Sequence, residues 1–105
     1  IHLQTNRVEK DLVKMKTINI INSLLKVLDD QYESLDQKSD TMKNQKAVRN
    51  IAKAYFTLAR EQEEVEVFDS AISSYRKAIK CNRFFWRAYA RLLTLLERLN
   101  RLDEA

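Results

Sequence analysis

Residues 52–71 read AKAYFTLAREQEEVEVFDSA, residues 86–105 read WRAYARLLTLLERLNRLDEA, and a shift of 34 positions lays one on the other. The shift sets Ala54 on Ala88, Tyr55 on Tyr89, Leu58 on Leu92, Phe68 on Leu102, Asp69 on Asp103 and Ala71 on Ala105. Small and apolar positions coincide while charged ones mostly vary, so what recurs is a packing unit rather than a chemical site. Repeats of this period are stacked supersecondary units, each completing its core against a neighbour.

Composition decides what the unit is made of. The chain has 105 residues, enough for one domain, and 45% of them are hydrophobic, enough for a core. It contains no glycine and no proline. Tight hairpin turns and phosphate-cradling loops need positive φ or close backbone approach, so a P-loop, a dinucleotide-binding turn and a β-sandwich are excluded. The remaining residues are mostly good helix formers, and the expected class is all-α.

Working outward from the repeat, apolar residues step by three or four along three short segments. Val48, Ile51, Ala52, Tyr55, Phe56 and Ala59 define the first segment, and Phe68, Ala71, Ile72, Tyr75, Ala78 and Ile79 the second. Tyr89, Leu92, Leu93, Leu96 and Leu99 define the third, with Leu102 opening a fourth. Short links such as EEVEV and CNRFF predict antiparallel neighbours. Asn82 is the expected N-cap of the third helix, and Asn100 the residue that ends it in the left-handed region.

Upstream, Val8, Leu12, Met15, Ile18, Ile21, Leu25, Leu28, Tyr32 and Leu35 predict one long helix over 7–35, its core-facing stripe widened by Val13, Ile20, Leu24 and Val27. Residues 36–46, DQKSDTMKNQK, read as a polar loop in which Ser39 or Asp40 could cap a helix that frays before Ala47. The division is therefore a long helix with its loop over 1–45 and repeat-like hairpins over 46–105. The chain starts at Ile1 and stops inside a helical pattern at Ala105, so it is read as part of something longer.

Tyr55, Leu58 and Ala59 on one segment, Ala71, Tyr75 and Ala78 on the next, and the stretch SAISSYRKAIKCN over 70–82 resemble the tetratricopeptide repeat (TPR) family. The resemblance covers 48–105. Glu66 stands at that family's usual inter-helix glycine, Arg83 at its usual proline and Leu93 at a usual small residue. It implies stacked antiparallel hairpins; the long N-terminal helix lies outside it and is expected to pack on them as a cap or an unrelated packing partner. Phe84, Phe85 and Trp86 then fall between hairpins, where a buried seam is expected in preference to an exposed aromatic platform.

Function is argued from the residues present. The net charge is +4, the only histidine is His2, and the single cysteine, Cys81, sits on an apolar stripe with no metal-ligand spacing anywhere. No catalytic, cofactor or metal site is predicted. The TPR resemblance implies a concave groove lined by Lys53, Phe56, Thr57, Arg60, Glu63 and Glu64, and by Arg87, Ala90, Arg91, Thr94, Glu97 and Arg98 of the next unit. Lys53, Thr57, Arg60, Arg87 and Arg91 are the candidate partner-binding residues, suited to holding carboxylates of an acidic peptide or helix.

A subset of the family clamps the acidic tails of cytosolic heat-shock chaperones. Arg87 and Arg91 match two of its basic positions, whereas Thr57, Asn22 and Lys26 do not match the others. The rival class is RNA or DNA binding through Arg76, Lys77, Lys80 and Arg83 together with Arg87 and Arg91. Ile20, Leu24 and Val27 form a second candidate surface, for a partner or a second copy of the chain. With no membrane span or signal peptide in the sequence, the expected setting is intracellular, the cytoplasm ahead of the nucleus.

Overall fold

The computed structural model describes the backbone of residues 2–35 and 42–105 and the side chains of 7–35 and 44–105. The element order is α1 (His2–Ser34), α2 (Met42–Glu64), α3 (Phe68–Cys81), α4 (Trp86–Arg98) and a 3₁₀ turn (Leu102–Glu104), with no strand among the described residues. The chain is all-α, as its composition predicts. Each helix packs on its chain neighbour, and short links, 65–67 and 82–85, hold α2 against α3 and α3 against α4.

The 34-residue period reappears in the backbone. Glu66 ends α2 at φ 63°, and Asn100, 34 positions later, ends α4 at φ 56°. In the first turn Val67 N donates to Gln62 O at 3.0 Å and Glu66 N to Glu63 O at 3.0 Å. In the second, Arg101 N donates to Leu96 O at 2.7 Å and Asn100 N to Glu97 O at 3.1 Å. Both are Schellman ends, which satisfy the last helix carbonyls through one left-handed residue. The two turns lead into different structures: α3 is a full helix of 14 residues, whereas Leu102–Glu104 is one 3₁₀ turn.

The core lies between α2, α3 and α4. Ala52, Ala59, Ala71, Ala78 and Ala88 have no exposed surface, and these methyl-sized side chains let the helix backbones approach closely. Tyr55, Tyr75, Leu95 and Leu96 fill the larger spaces. Gln62 and Ser74 are buried in the same layer, and Ser74 Oγ donates to Gln62 Oε1 at 2.5 Å. Burial is tolerable because each satisfies the other.

Four expectations need correction. Residues 42–46 are the first turn of α2 rather than loop; Met, Lys and Gln favour a helix, and a single turn need show no apolar period. The candidate caps Ser39 and Asp40 lie outside the described residues. Asn82 closes α3 instead of capping α4, its Oδ1 accepting from Phe84 N at 3.1 Å. On α4 the buried line is Phe85, Ala88, Leu92, Leu95 and Leu96, while Tyr89 and Leu93 are exposed. A leucine-rich helix offers two apolar lines, and the buried one is marked only by small Ala88.

The fourth correction concerns α1. Its C-terminal half packs as expected through Ile21, Leu25, Leu28, Tyr32 and Leu35. Asp29 fixes it there, accepting from the Tyr55 hydroxyl and, at 3.2 Å to both oxygens, from Lys77 Nζ. Upstream, Val8, Leu12 and Met15 are at least half exposed. The reason is arithmetic: the steps from Leu12 to Met15, Ile18 and Ile21 are all three residues, each turning the stripe back by about 60°. The apolar line therefore winds half a turn around α1 and reaches α2 only at Ile21.

Glu66→Gly is expected to raise the unfolding free energy by about 1 kcal/mol, because a side chain in the left-handed region costs more than glycine's extra chain entropy. Asn100→Gly should gain less, since Asn tolerates that region. Urea titration of the two variants measures both. A loss at Glu66→Gly would mean that the side chain, not the backbone, holds the turn.

Candidate functional site

Phe56 is the centre from which the site is built. It lies on α2 with its ring 5.8 Å from Tyr75 and 5.0 Å from Phe85, centroid to centroid, so core residues of α3 and the α3–α4 link hold it. One turn on, Arg60 shares its side of α2. From α4, Trp86, Arg87, Ala90, Arg91 and Thr94 complete a cleft of about 330 Å³ over Phe56 and Arg60. The opening exists because Ala90 is only a methyl at the middle of the wall. Arg87 sits 6.0 Å from the Phe56 ring centroid, a cation–π distance.

The third arginine is held from below. The Tyr75 ring is fully buried, and its hydroxyl donates to Glu63 Oε1 at 2.8 Å while also bonding the Arg91 guanidinium. Burial pushes the Tyr75 hydroxyl up to about 12; Arg91 opposes the rise and Glu63 adds to it. The bond with Tyr75 in turn raises Arg91 above its ordinary value. Arg91 is exposed, as Arg60 and Arg87 are, but Tyr75 ties it to the core. Chemically the cleft offers guanidinium groups over an aromatic floor, suited to a carboxylate beside an apolar side chain.

Of the five residues predicted to bind a partner, the structure gathers Arg60, Arg87 and Arg91 in this cleft. Lys53 and Thr57 are exposed on α2 but do not line it, and Thr57 Oγ1 is turned back onto Lys53 O at 3.0 Å. Asn22 and Lys26 stand on α1, outside the cleft. Ile20, Leu24 and Val27 are exposed on α1, at 61%, 47% and 51%.

The aromatic triplet divides. Phe85 is buried in the seam, but Phe84 is 85% and Trp86 72% exposed. Three successive residues crossing from one helix to the next cannot all face inward, and a seam reading of the triplet overlooks this. Trp86 borders the Phe56 cleft; Phe84 borders a second hollow with Arg49, Lys80 and Arg83. The basic strip predicted on α3 is partly spent, because Lys77 pairs with Asp29 and Arg76 donates to Glu104 O at 2.6 Å. Tyr75's polar role went unread as well, since its spacing marks it only as core.

Cys81 is half-buried, and burial pushes its thiol up, as befits a small core-edge hydrophobe. Among the described residues no group of acidic, histidine and cysteine side chains could hold a metal, and no helix is long and apolar enough to cross a membrane.

The Tyr75 shift fixes a pH dependence. Its hydroxyl ionises near 10 in the unfolded chain and at about 12 in the fold, so its contribution is complete below pH 10. It is lost as pH rises from 10 to 12. Tyr75→Phe is expected to cost about 1 kcal/mol at neutral pH and to flatten the alkaline fall of stability. Urea midpoints collected from pH 8 to pH 12, a range set by that shift, test this; an unchanged slope would remove Tyr75 as the cause. Comparison with family models, with curated proteins and with solved structures finds no match for this chain.

Proposed function

We propose that this chain is a non-catalytic, TPR-like interaction module whose cleft between α2 and α4 holds an acidic peptide or helix of a partner protein. The observation that carries the reading is the convergence of Arg60, Arg87 and Arg91 on the aromatic floor of Phe56. Guanidinium forks bind carboxylates bidentately, and Phe56 and Trp86 offer an apolar neighbour to a ligand side chain. The recurrence of one helix-ending turn 34 residues apart, at Glu66 and Asn100, supports the TPR-like reading.

A narrower form, binding of acidic chaperone tails, has less support. Arg87 and Arg91 stand in the cleft, but Thr57, Asn22 and Lys26 do not join them. An intracellular setting, the cytoplasm ahead of the nucleus, suits a chain with one free thiol.

The exposure of Phe84 and Trp86 favours a second reading, single-stranded nucleic acid. Bases stack on exposed aromatics while cations such as Lys80, Arg83 and Arg87 take the phosphates. Glu61 and Glu64, exposed near the far end of α2, count against a phosphate track along the whole face.

Panning a random peptide library on the chain, with Arg60→Glu/Arg87→Glu as counter-selection, is expected to enrich acidic peptides bearing an apolar side chain. Trp86 is the only tryptophan and lines the cleft, so its emission should shift as such a peptide binds. The double variant should lose at least tenfold in affinity, about 1.4 kcal/mol, with a melting temperature close to that of the wild type. Both positions are exposed, and the contact of Arg87 over the Phe56 ring is worth at most about 1 kcal/mol at an exposed site; Arg91, tied to Tyr75, is left intact. Enrichment of basic peptides, or of none, would overturn the reading. Binding of oligothymidylate that weakens steeply with salt would favour the nucleic-acid alternative.

A further inference from the structure

Seven of the twelve large hydrophobic side chains exposed among the described residues lie on α1. Four of them form one line. Val13, Ile20 and Val27 are seven residues apart, which returns a side chain to nearly the same side of a helix after two turns, and Leu24 lies beside them. The line runs about a quarter turn from Ile21 and Leu28, which face α2, so it can be covered without disturbing the fold. Val8, Leu12 and Met15 lie on the other side of the helix and take no part.

The spacing is self-complementary. Turned end for end about Ile20, the line sets Val13 opposite Val27 and Ile20 opposite itself. The charges have the same symmetry with opposite sign. Residues 7–17 carry Arg7, Lys10, Lys14 and Lys16 against Glu9 and Asp11; residues 26–35 carry Asp29, Asp30 and Glu33 against Lys26. Antiparallel pairing therefore lays a basic half along an acidic half. Parallel pairing would lay like on like.

We infer that the chain forms a two-fold homodimer in which α1 packs antiparallel on α1 of a second copy through Val13, Ile20, Leu24 and Val27. The contact is isologous, the same patch on both copies, and so it closes at two. It does not involve the α2–α4 cleft, none of whose lining residues is on α1.

Sedimentation equilibrium over roughly a hundredfold range of concentration, wide enough to follow a micromolar association, is expected to show a dimer. Ile20→Asp/Leu24→Asp should be monomeric throughout, with unchanged circular dichroism, since both side chains are exposed. Orientation is read by crosslinking in a Cys81→Ser background. Ile20→Cys should oxidise to a covalent dimer. Val13→Cys should not, because antiparallel copies hold those positions about 20 Å apart. A wild-type chain that stays monomeric overturns the inference, even if α1 captures some other protein. Dimerisation that survives Ile20→Asp/Leu24→Asp overturns it too, and equal crosslinking at both positions overturns the antiparallel register.

Discussion

The Tyr75 ring is the contact through which three helices are fixed at once. It rises from α3, packs at a tilt against Phe56 of α2 and sends its hydroxyl past the core edge to Glu63, beside Arg91. The apolar body is worth its place through burial, of the order of 2–3 kcal/mol for a side chain this size. The hydroxyl adds something that a phenylalanine could not. It places one polar atom between Glu63 of α2 and Arg91 of α4, beside the cleft over Phe56.

The second constraint is the absence of glycine. A helical hairpin must reverse its chain within a few residues, and the easiest reversal uses a left-handed glycine. Here a glutamate and an asparagine, 34 residues apart, take that conformation at φ 63° and 56°. Strain at Glu66 is sustained because the whole turn is over-determined: two backbone bonds, the Gln62–Ser74 pair beneath it and the first turn of α3 all require the same path. The same helix-ending geometry thus occurs twice at a spacing of 34 residues.

Much of this was legible in the residues and some of it could not have been. All-α class, helix number and the core lines of α2 and α3 follow from composition and period, and the left-handed turn at Asn100 from residue type. The α4 face did not, because Tyr89 and Leu93 repeat the helical period as well as Ala88 and Leu95 do. Period reports that a helix has an apolar side; it does not choose between two. Arg60, Arg87 and Arg91 were nameable from spacing and resemblance, but their convergence on Phe56, the added Trp86 and the omission of Lys53 and Thr57 depend on packing. Gln62 left no signal, since a lone glutamine in a charged run reads as surface until Ser74 is seen beside it.

The same limit explains α1. Counting its apolar residues gives a wide stripe and suggests a helix buried along its length. Following the phase gives a different object: a line that winds half a turn through three successive three-residue steps, and beside it a straight heptad line that stays about half exposed. Asp29 locks the C-terminal half to Tyr55 and Lys77, so α1 cannot roll to bury that line against its own chain. Rolling would break both contacts and expose Ile21, Leu25 and Leu28. The heptad line therefore stays exposed in the single chain. Because α1 and the cleft are built on separate helices, covering one leaves the other open. If the cleft takes an acidic segment as proposed, a two-fold pair would present two such clefts on one body, which would multiply the avidity for a partner that displays that segment more than once.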